Sequence, residues 1–313
     1  MTEGWTLRGR RGRGRVPAAL AVLVALLLAG HVLVPNTGPR LGSLLETFLP
    51  WLGLAVPLLA GAALLARSVA ALLAALLPLG AWLGVFGPAL LPAQGGHDLT
   101  VLQHNVSDEN PDPEAAARAL LSVRADLLAL EEVTPAALPR YRAVLDAAYP
   151  YHARSGTVAL WSRLPLRDAR PLDIRPAGVP EDWQRGLRAT AATARGDVAV
   201  YVVHLPSVRI GAGGLRSARR DQSAARLGHL LAAEAEERVV LLGDLNGTVQ
   251  DRGLAPLTSR LDTPRSGLAP SWPAGLPLAR IDHVLARAAT VTRIGRGPAT
   301  GSDHLPVVGK VRL

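Results

Sequence analysis

Three long runs without Asp, Glu, Lys or Arg fill most of the first 94 residues, at 16–34, 47–66 and 68–94. Each run is close to the roughly 20 residues that a helix needs to cross the hydrocarbon core of a membrane. No small-residue cleavage site typical of a signal peptide follows the first run. The pattern therefore predicts a membrane anchor of three transmembrane helices at residues 16–94. The alternative is a cleaved signal peptide followed by apolar core helices.

The arginines orient this predicted anchor. Five of them lie between Arg8 and Arg15, before the first run, and Arg67 separates the second run from the third. The loop between the first two runs holds only Arg40. Because basic residues concentrate on the cytoplasmic side, residues 1–15 are predicted to be a cytoplasmic segment. Three spans would then place residues 95–313 outside the cytoplasm, as the extracytoplasmic domain of a multi-pass cell-membrane protein.

Composition excludes several classes of site. The chain has no cysteine, which rules out disulfides, thiolate nucleophiles and Cys-ligated zinc. It also lacks a Gly-x-Ser-x-Gly elbow, a His-Glu-x-x-His helix and a phosphate loop ending in Gly-Lys-Ser/Thr. Seven of the 34 basic residues and two of the 25 acidic residues precede His97, so the downstream part carries a charge near +4. Nucleic acid is therefore a less favoured partner, because DNA affinity depends on many phosphate contacts.

From His97 onward, strand and helix signals alternate, which indicates an α/β domain with two packed sheets flanked by helices. The segment 263–277 is rich in Pro, Gly and Ser, and we expect it to form a surface loop over the active face. The predicted strands are 99–103, 126–130, 157–161, 187–193, 198–203, 239–242 and 281–285, and the predicted helices are 113–123, 134–148 and 215–237.

Polar side chains collect where these apolar strands end. Rigid sheets present catalytic groups on the loops that leave them, so residues at these positions are the candidates for a site. Hydrolysis of a phosphoester needs a cation that neutralises the phosphate and a group that activates water, and Mg²⁺ or Mn²⁺ with carboxylates meets both needs. The candidates are Asn105, Glu132, His204, Asp244, Asn246, Asp282, Asp303 and His304.

Residue chemistry suggests how these groups share the work. Glu132 is the best metal ligand, with Asn105 supplying a neutral oxygen from the neighbouring strand. Asp244 can act as a base or orient water, while Asn246 donates to developing charge. The structural alternatives are a helix N-terminal acid for Glu132 and a plain turn for residues 244–246.

The remaining candidates are histidines and their acidic neighbours. His204 and His304 could donate to phosphate oxygens, or each could be a structural histidine. Asp282 and Asp303 could fix the histidine tautomers or take part in metal binding.

In this order, the motifs resemble the endonuclease/exonuclease/phosphatase family, whose fold is shared by DNase I, abasic-site endonucleases and neutral sphingomyelinases. The resemblance covers essentially all of residues 98–313. It implies a four-layer α/β sandwich, with Asn105, Glu132 and Asp303 at the metal and His204, Asp244, Asn246, Asp282 and His304 in catalysis. The motifs are Leu102-Gln-His-Asn105, Ala125-Asp-Leu-Leu-Ala-Leu-Glu-Glu132-Val, Val202-Val-His204-Leu, Gly243-Asp244-Leu-Asn246, Arg280-Ile-Asp282-His and Gly301-Ser-Asp303-His304.

The chain departs from this family in two places. The family usually has Gln before the metal-ligating Glu, but here that residue is Glu131, so either of two adjacent acids could be the ligand. Glu132 keeps the spacing to the following Val and is the predicted one. The carboxylate that often supports the first histidine in nuclease-like members has no clear counterpart.

The apolar segment 41–51 resembles part of the membrane-anchored glycopeptide-resistance proteins of the VanJ kind, associated with teicoplanin resistance. Together the two resemblances imply an enzyme that hydrolyses a phosphoester or phosphoanhydride on a membrane lipid phosphate or pyrophosphate, plausibly an intermediate of wall synthesis. The alternatives are a surface-tethered nuclease acting on extracellular DNA and a catalytically inactive membrane scaffold. The intact set of site residues argues against the scaffold.

Overall fold

The computed structural model describes residues 12–313, which divide into two compact units, 12–90 and Leu91–Leu313. The predictions for Arg8, Arg10 and Arg11 lie outside the described residues.

The first unit is helical and apolar. Gly30 ends its first helix and donates its backbone N–H to the carbonyl of Leu26. Ala21 and Ala75 are buried against Leu59, so small side chains let helices of this unit approach closely. Its elements are α1 (Arg15–Ala29), a 3-10 turn (His31–Leu33), α2 (Leu41–Thr47), a 3-10 helix (Leu49–Leu54), α3 (Ala55–Leu65), α4 (Val69–Ala74) and α5 (Leu76–Leu90).

The prediction of three transmembrane helices is wrong. Helix α1 has 15 residues, which at about 1.5 Å per residue falls short of a hydrocarbon core of about 30 Å. The second run begins at a bend, where Leu41–Thr47 and Leu49–Leu65 meet at an angle of 66°. Among residues 12–313, one stretch, the 22-residue Val69–Leu90, is long and apolar enough to span a membrane, or two if the bent pair forms one span.

Chain breakers account for the difference. Gly30 ends α1 before the first run is complete, and Pro50 follows the bend at the start of the second. Proline has no amide hydrogen to continue a helix, so an uncharged run need not be a continuous helix. The same criteria of length and apolarity are met by a signal sequence, so the first unit provides at most one or two candidate anchors.

The second unit contains two mixed β-sheets. In the described chain, the first sheet has six strands, in spatial order β12 (Thr290–Arg296), β13 (Val307–Arg312), β1 (Leu99–Asn105), β2 (Leu127–Glu131), β4 (Val158–Ser162) and β3 (Tyr151–Ser155). The second sheet has five, in the order β11 (Asp282–Arg287), β10 (Val239–Asp244), β7 (Gly196–His204), β6 (Gly186–Thr193) and β5 (Leu166–Pro171). A small hairpin, β8 (Arg209–Gly211) and β9 (Gly214–Arg216), follows β7.

The two sheets pack face to face between two layers of helices. Apolar residues of both sheets, such as Val101, Leu160, Val200 and Leu242, form one buried core between them. The outer face of the first sheet packs against α6 (Pro113–Leu121) and α7 (Leu138–Leu145). The outer face of the second packs against α8 (Ala218–Ala232) and α9 (Ala255–Thr258). The expected α/β sandwich, with a fold like that of DNase I, is confirmed.

The predicted strands and helices of this unit form within a few residues of their expected bounds. Helix α6 begins after Asp112, whose side chain accepts the backbone N–H of Ala115. The long helix expected at 215–237 is shorter, because Leu215 lies in β9. The segment 263–277 forms no regular strand or helix, as expected of a loop.

We predict that Gly243→Ala unfolds the second unit. An added Cβ would lie 2.0 Å from the carbonyl oxygen of Val203 on the adjacent strand, where backbone cannot move aside. Such overpacking should cost about 3 kcal/mol or more of the free energy of unfolding. In thermal denaturation, Gly295→Ala is the matched control, because no atom lies within 4 Å of its added Cβ. Equal melting temperatures for both variants would contradict the packing argument.

Candidate active site

Strand register brings the polar strand ends together. Strands β1 and β2 are parallel, as are β7 and β10, so their carboxyl ends lie at one edge of each sheet. Asp244 lies opposite His204 on one side and Asp282 on the other. The site is thus divided: His204, Asp244 and Asp282 belong to the second sheet, while Asn105 and Glu132 follow strands of the first.

Asn105 connects the two halves. Its side-chain nitrogen donates to Glu132 Oε1 and to Asp244 Oδ2, at 3.1 Å in each case. Its side-chain oxygen accepts the backbone N–H of Ser107 at 3.0 Å. Because Asn105 is only 2% exposed, these bonds fix two carboxylates from different sheets in one place.

The backbone decides which of the two adjacent acids faces the cleft. Glu131 ends β2 and points into the core, where Gln103 donates to it at 2.8 Å. Burial, with Asp282 nearby, raises the pKa of Glu131 well above its usual value. Glu132 has φ of 61°, a left-handed turn that directs its half-buried side chain towards Asn105 and His204. The structure therefore places Glu132, the predicted ligand, among the other candidates.

Asp244 lies at the centre of the cluster. Its Oδ2 is 3.7 Å from His204 Nε2 and 3.8 Å from His304 Nε2, and its Oδ1 accepts the backbone N–H of Asn246 at 2.9 Å. Burial raises the pKa of Asp244 to about 7, although His304 opposes the rise. A carboxyl group of this kind can exchange a proton with water near neutral pH.

His304 and Asp282 form a hydrogen-bonded pair. His304 Nδ1 donates to Asp282 Oδ2 at 2.8 Å, and Gln103 donates to Asp282 Oδ1 at 2.9 Å. Burial by itself lowers the pKa of His304, but the carboxylates of Asp282 and Asp244 raise it overall to about 10. Despite burial, His304 keeps the pKa of Asp282 below its usual value. His304 is therefore a cation at neutral pH, with Nε2 directed at Asp244.

His204 has a different environment. Its Nε2 lies 3.7 Å from Glu132 Oε1, but Arg185 Nη1 lies 3.3 Å from its Nδ1 and 3.5 Å from its Nε2. Burial, together with this guanidinium, lowers the pKa of His204 well below its usual value. His204 is therefore neutral, and among the residues that the structure describes Arg185, not a carboxylate, lies beside its Nδ1.

The sequence did not reveal Arg185 because it belongs to no motif. A signal exists in the topology: Arg185 directly precedes β6, which pairs antiparallel with β7, so it must lie beside the end of β7. The backbone N–H of His204 donates to its carbonyl oxygen at 2.9 Å.

Two other predicted residues occupy less direct positions. The Asn246 side chain donates to the carbonyl of Leu205 at 2.9 Å, so it ties the loop after β10 to the loop after β7. Asp303 has an exposed side chain, and its backbone oxygen accepts the N–H of Ala274 at 2.7 Å. Asp303 is therefore outside the buried carboxylate cluster, and its role in metal binding stays a prediction.

Buried groups behind the cleft hold the loop after β10. Arg220 donates to the carbonyl of Asn246 at 3.1 Å and to Asp251 at 2.6 Å. His283 donates to the carbonyl of Gly247 at 2.7 Å. These bonds maintain the left-handed conformation of Asn246, whose φ is 49°.

The donor set suits a hard divalent cation. Ligand atoms of Asp244, Asp282 and His304 all lie within 4.8 Å of one another. Glu132 adds a carboxylate on the other side of Asp244, and the side-chain nitrogen of Asn105 bridges the two acids, while its oxygen faces Ser107. Buried carboxylates this close repel each other, and oxygen-rich sets of this kind are what Mg²⁺ binds. The sequence predicted catalytic roles for Asp244 and His304, and either histidine orientation or metal binding for Asp282, whereas the geometry brings ligand atoms of all three together.

Comparison with known proteins agrees with this geometry. The sequence profile of the endonuclease/exonuclease/phosphatase family matches residues 101–304. No curated protein matches the chain significantly.

Solved structures show a similar fold. Sphingomyelinase C from Streptomyces griseocarneus is 20% identical, with a TM-score of 0.53 over 68% of this chain and 98% of that one. A beta toxin variant from Staphylococcus aureus, with bound magnesium ions, is 14% identical, with a TM-score of 0.54 over 68% and 99%. Mannosyl-6-phosphatase from Bacteroides thetaiotaomicron is 15% identical, with a TM-score of 0.53 over 69% and 100%. At these identities the likeness establishes the fold alone.

We predict that His304 sets the alkaline limb of the pH–rate profile. Its pKa of about 10 means that it loses its proton as pH rises through that value, and a bound cation would lower the value by repulsion. The value of kcat/KM should fall as His304 loses the proton that it donates. His304→Ala should reduce kcat/KM by about 10²- to 10⁴-fold and remove this limb.

The matched control is His152→Ala, since His152 is exposed on β3. Its profile should equal that of the unmodified chain. An alkaline limb that persists in His304→Ala would assign the titration to another group.

Proposed function

The chain belongs to the endonuclease/exonuclease/phosphatase family, and from that premise we propose that it hydrolyses a phosphoester or phosphoanhydride at the outer face of a membrane. The observation that carries the proposal is the position of Asp244. Its carboxylate lies within 4 Å of Asn105, His204 and His304, at the junction of both sheets. Such convergence of an acid, an amide and two imidazoles is hard to explain as packing.

Each residue has a task that its surroundings support. Asp244, with a pKa of about 7, accepts a proton from the attacking water. Protonated His304, oriented by Asp282, donates to a phosphoryl oxygen as negative charge develops there. Neutral His204 offers a further hydrogen bond, and Asn105 keeps Glu132 and Asp244 in register.

Mg²⁺ or Mn²⁺ is the expected cofactor. Glu132, which Asn105 positions beside Asp244, would hold it, while Asp244 remains the base and His304 the donor. When bound, such a cation neutralises phosphate charge and makes water more acidic.

For localisation, we propose a single-span anchor at Val69–Leu90 in place of the three spans. Arg67 lies two residues before this helix, and further arginines precede α1. Basic residues favour the cytoplasmic side, so one span would carry residues 95–313 to the outside. One span and three spans both place the two ends of the chain on opposite sides of the membrane, so the topology expected from the arginines is the same in either case.

A tethered enzyme favours a substrate in the same membrane. Tethering gives effective concentrations that can reach millimolar, an advantage that a soluble polymer such as DNA does not share. Similar folds occur in proteins named for a membrane lipid, sphingomyelinase C, and for a sugar phosphate, mannosyl-6-phosphatase. We therefore propose a lipid phosphate or pyrophosphate of wall synthesis as the substrate. A role in glycopeptide resistance rests on the resemblance of segment 41–51 alone and stays a prediction.

We predict that Glu132→Gln weakens metal binding, so that part of its lost rate returns at high Mg²⁺ concentration. Asp244→Asn should lose on the order of 10²–10⁴-fold in rate, because no base replaces it, with little recovery. The measurement is hydrolysis of lipid pyrophosphate, a sphingomyelin-like diester and duplex DNA against Mg²⁺ concentration and with chelator.

Glu237→Gln serves as the control, because Glu237 is exposed and precedes β10 at the end away from the site. Full turnover in excess chelator would refute metal-dependent hydrolysis. Preference for duplex DNA over both lipids would favour a surface nuclease instead.

We predict that a reporter that works only outside the cytoplasm is active when it is fused after Leu313. The arginines before Val69–Leu90 are the physical reason. A cytoplasm-specific reporter at the same position should be silent. Activity of that second reporter would place the catalytic unit inside and overturn the proposed topology.

A further inference from the structure

The Arg185 side chain contacts two aromatic rings, those of Trp183 and His204. Its guanidinium carbon lies 5.3 Å from the centroid of the Trp183 ring, in a cation–π contact. Its Nη1 lies within 3.5 Å of both nitrogens of His204. The group is therefore restrained between an indole and an imidazole, next to the carboxylates that would bind metal.

No ion pair occupies this guanidinium. Within residues 12–313, no carboxylate oxygen lies within the 4.0 Å that defines a salt bridge to Arg185. Arg185 is half-buried, whereas the fully buried arginines Arg188 and Arg220 are paired with Glu234 and Asp251. Burial lowers the pKa of Arg185, although Glu132, Asp108 and Asp244 oppose this from a distance. A partly desolvated guanidinium without an ion pair is favourably placed to receive an anion.

The position of the guanidinium indicates which anion it would bind. His204, which touches Arg185, lies 3.7 Å from both Glu132 and Asp244, so one phosphoryl group could contact the cation site and Arg185 together.

We propose that Arg185 binds two non-bridging oxygens of the substrate's phosphoryl group and thereby selects a terminal phosphate, as in a phosphomonoester or pyrophosphate, over a phosphodiester. This rests on the proposed function. A terminal phosphoryl group has three non-bridging oxygens, so two can meet the guanidinium fork while the third faces the metal. A diester has only two and carries less charge, so the fork cannot be filled without taking the oxygen that the metal needs.

The test measures binding and turnover in the full-length protein. Isothermal titration in the presence of Mg²⁺ compares inorganic phosphate with dimethyl phosphate. Arg185→Met should weaken phosphate binding by about 10- to 100-fold while changing dimethyl phosphate binding far less. Arg185→Lys keeps the charge but loses the fork, so it should recover only part of the affinity.

Arg293→Met is the matched control. Arg293 is exposed on β12, where its backbone lies opposite Lys310 of β13, remote from the site. It should bind both probes as the unmodified chain does. The ratio of kcat/KM for an aryl phosphate to that for a bis-aryl phosphate should fall in Arg185→Met in parallel with the binding ratio, at an unchanged melting temperature.

The outcomes separate the two proposals. Equal weakening of both probes, or no weakening of either, in folded Arg185→Met or Arg185→Lys would overturn the selective role of Arg185. If the unmodified chain binds phosphate selectively through Arg185 but hydrolyses no phosphoester with Mg²⁺, the anion site stands and the proposed function fails. If the unmodified chain hydrolyses monoesters and diesters with Mg²⁺ and substitution of Arg185 changes neither rate, the proposed function stands and the selective role of Arg185 fails.

Discussion

Asp244 and Asp282 are buried carboxylates that lie opposite each other on adjacent strands, and they repel each other. The surrounding hydrogen bonds offset this repulsion. Gln103 and His304 both donate to Asp282, while Asn105 donates to Asp244. Without such partners, buried ionised carboxylates would oppose folding by several kcal/mol each. A divalent cation bound here would further reduce this repulsion, so the proposed cofactor would stabilise the fold at the same oxygens that it needs for the reaction.

Much of the catalytic unit could be predicted because local rules agree with the global fold there. Apolar runs ended at polar residues such as Asn105 and His204, and parallel strands necessarily bring their carboxyl ends to one edge. Arg185 could not be found in this way, since its importance depends on cross-strand register and on rings that approach it from distant positions. The choice between Glu131 and Glu132 likewise depended on a single backbone angle, which sequence spacing only suggests.

The helical unit shows the opposite case. Uncharged composition was a reliable sign of apolar helices, but not of their lengths, because Gly30 and Pro50 interrupt runs that hydropathy treats as continuous. Hydropathy measures how well a segment tolerates lipid, whereas spanning also requires an unbroken ladder of backbone hydrogen bonds. Breakers must therefore be weighed before spans are counted, and here they reduce three to one or two.

The division of the site between two sheets has a consequence for biosynthesis. Neither sheet alone carries both Glu132 and Asp244, and the Asn105 bond between them forms only when the sheets have docked. A partly folded chain therefore lacks an assembled active site. A polypeptide that crosses a membrane unfolded would pass the phosphoesters of the cytoplasm without cleaving them, and it would become competent only where it finally folds.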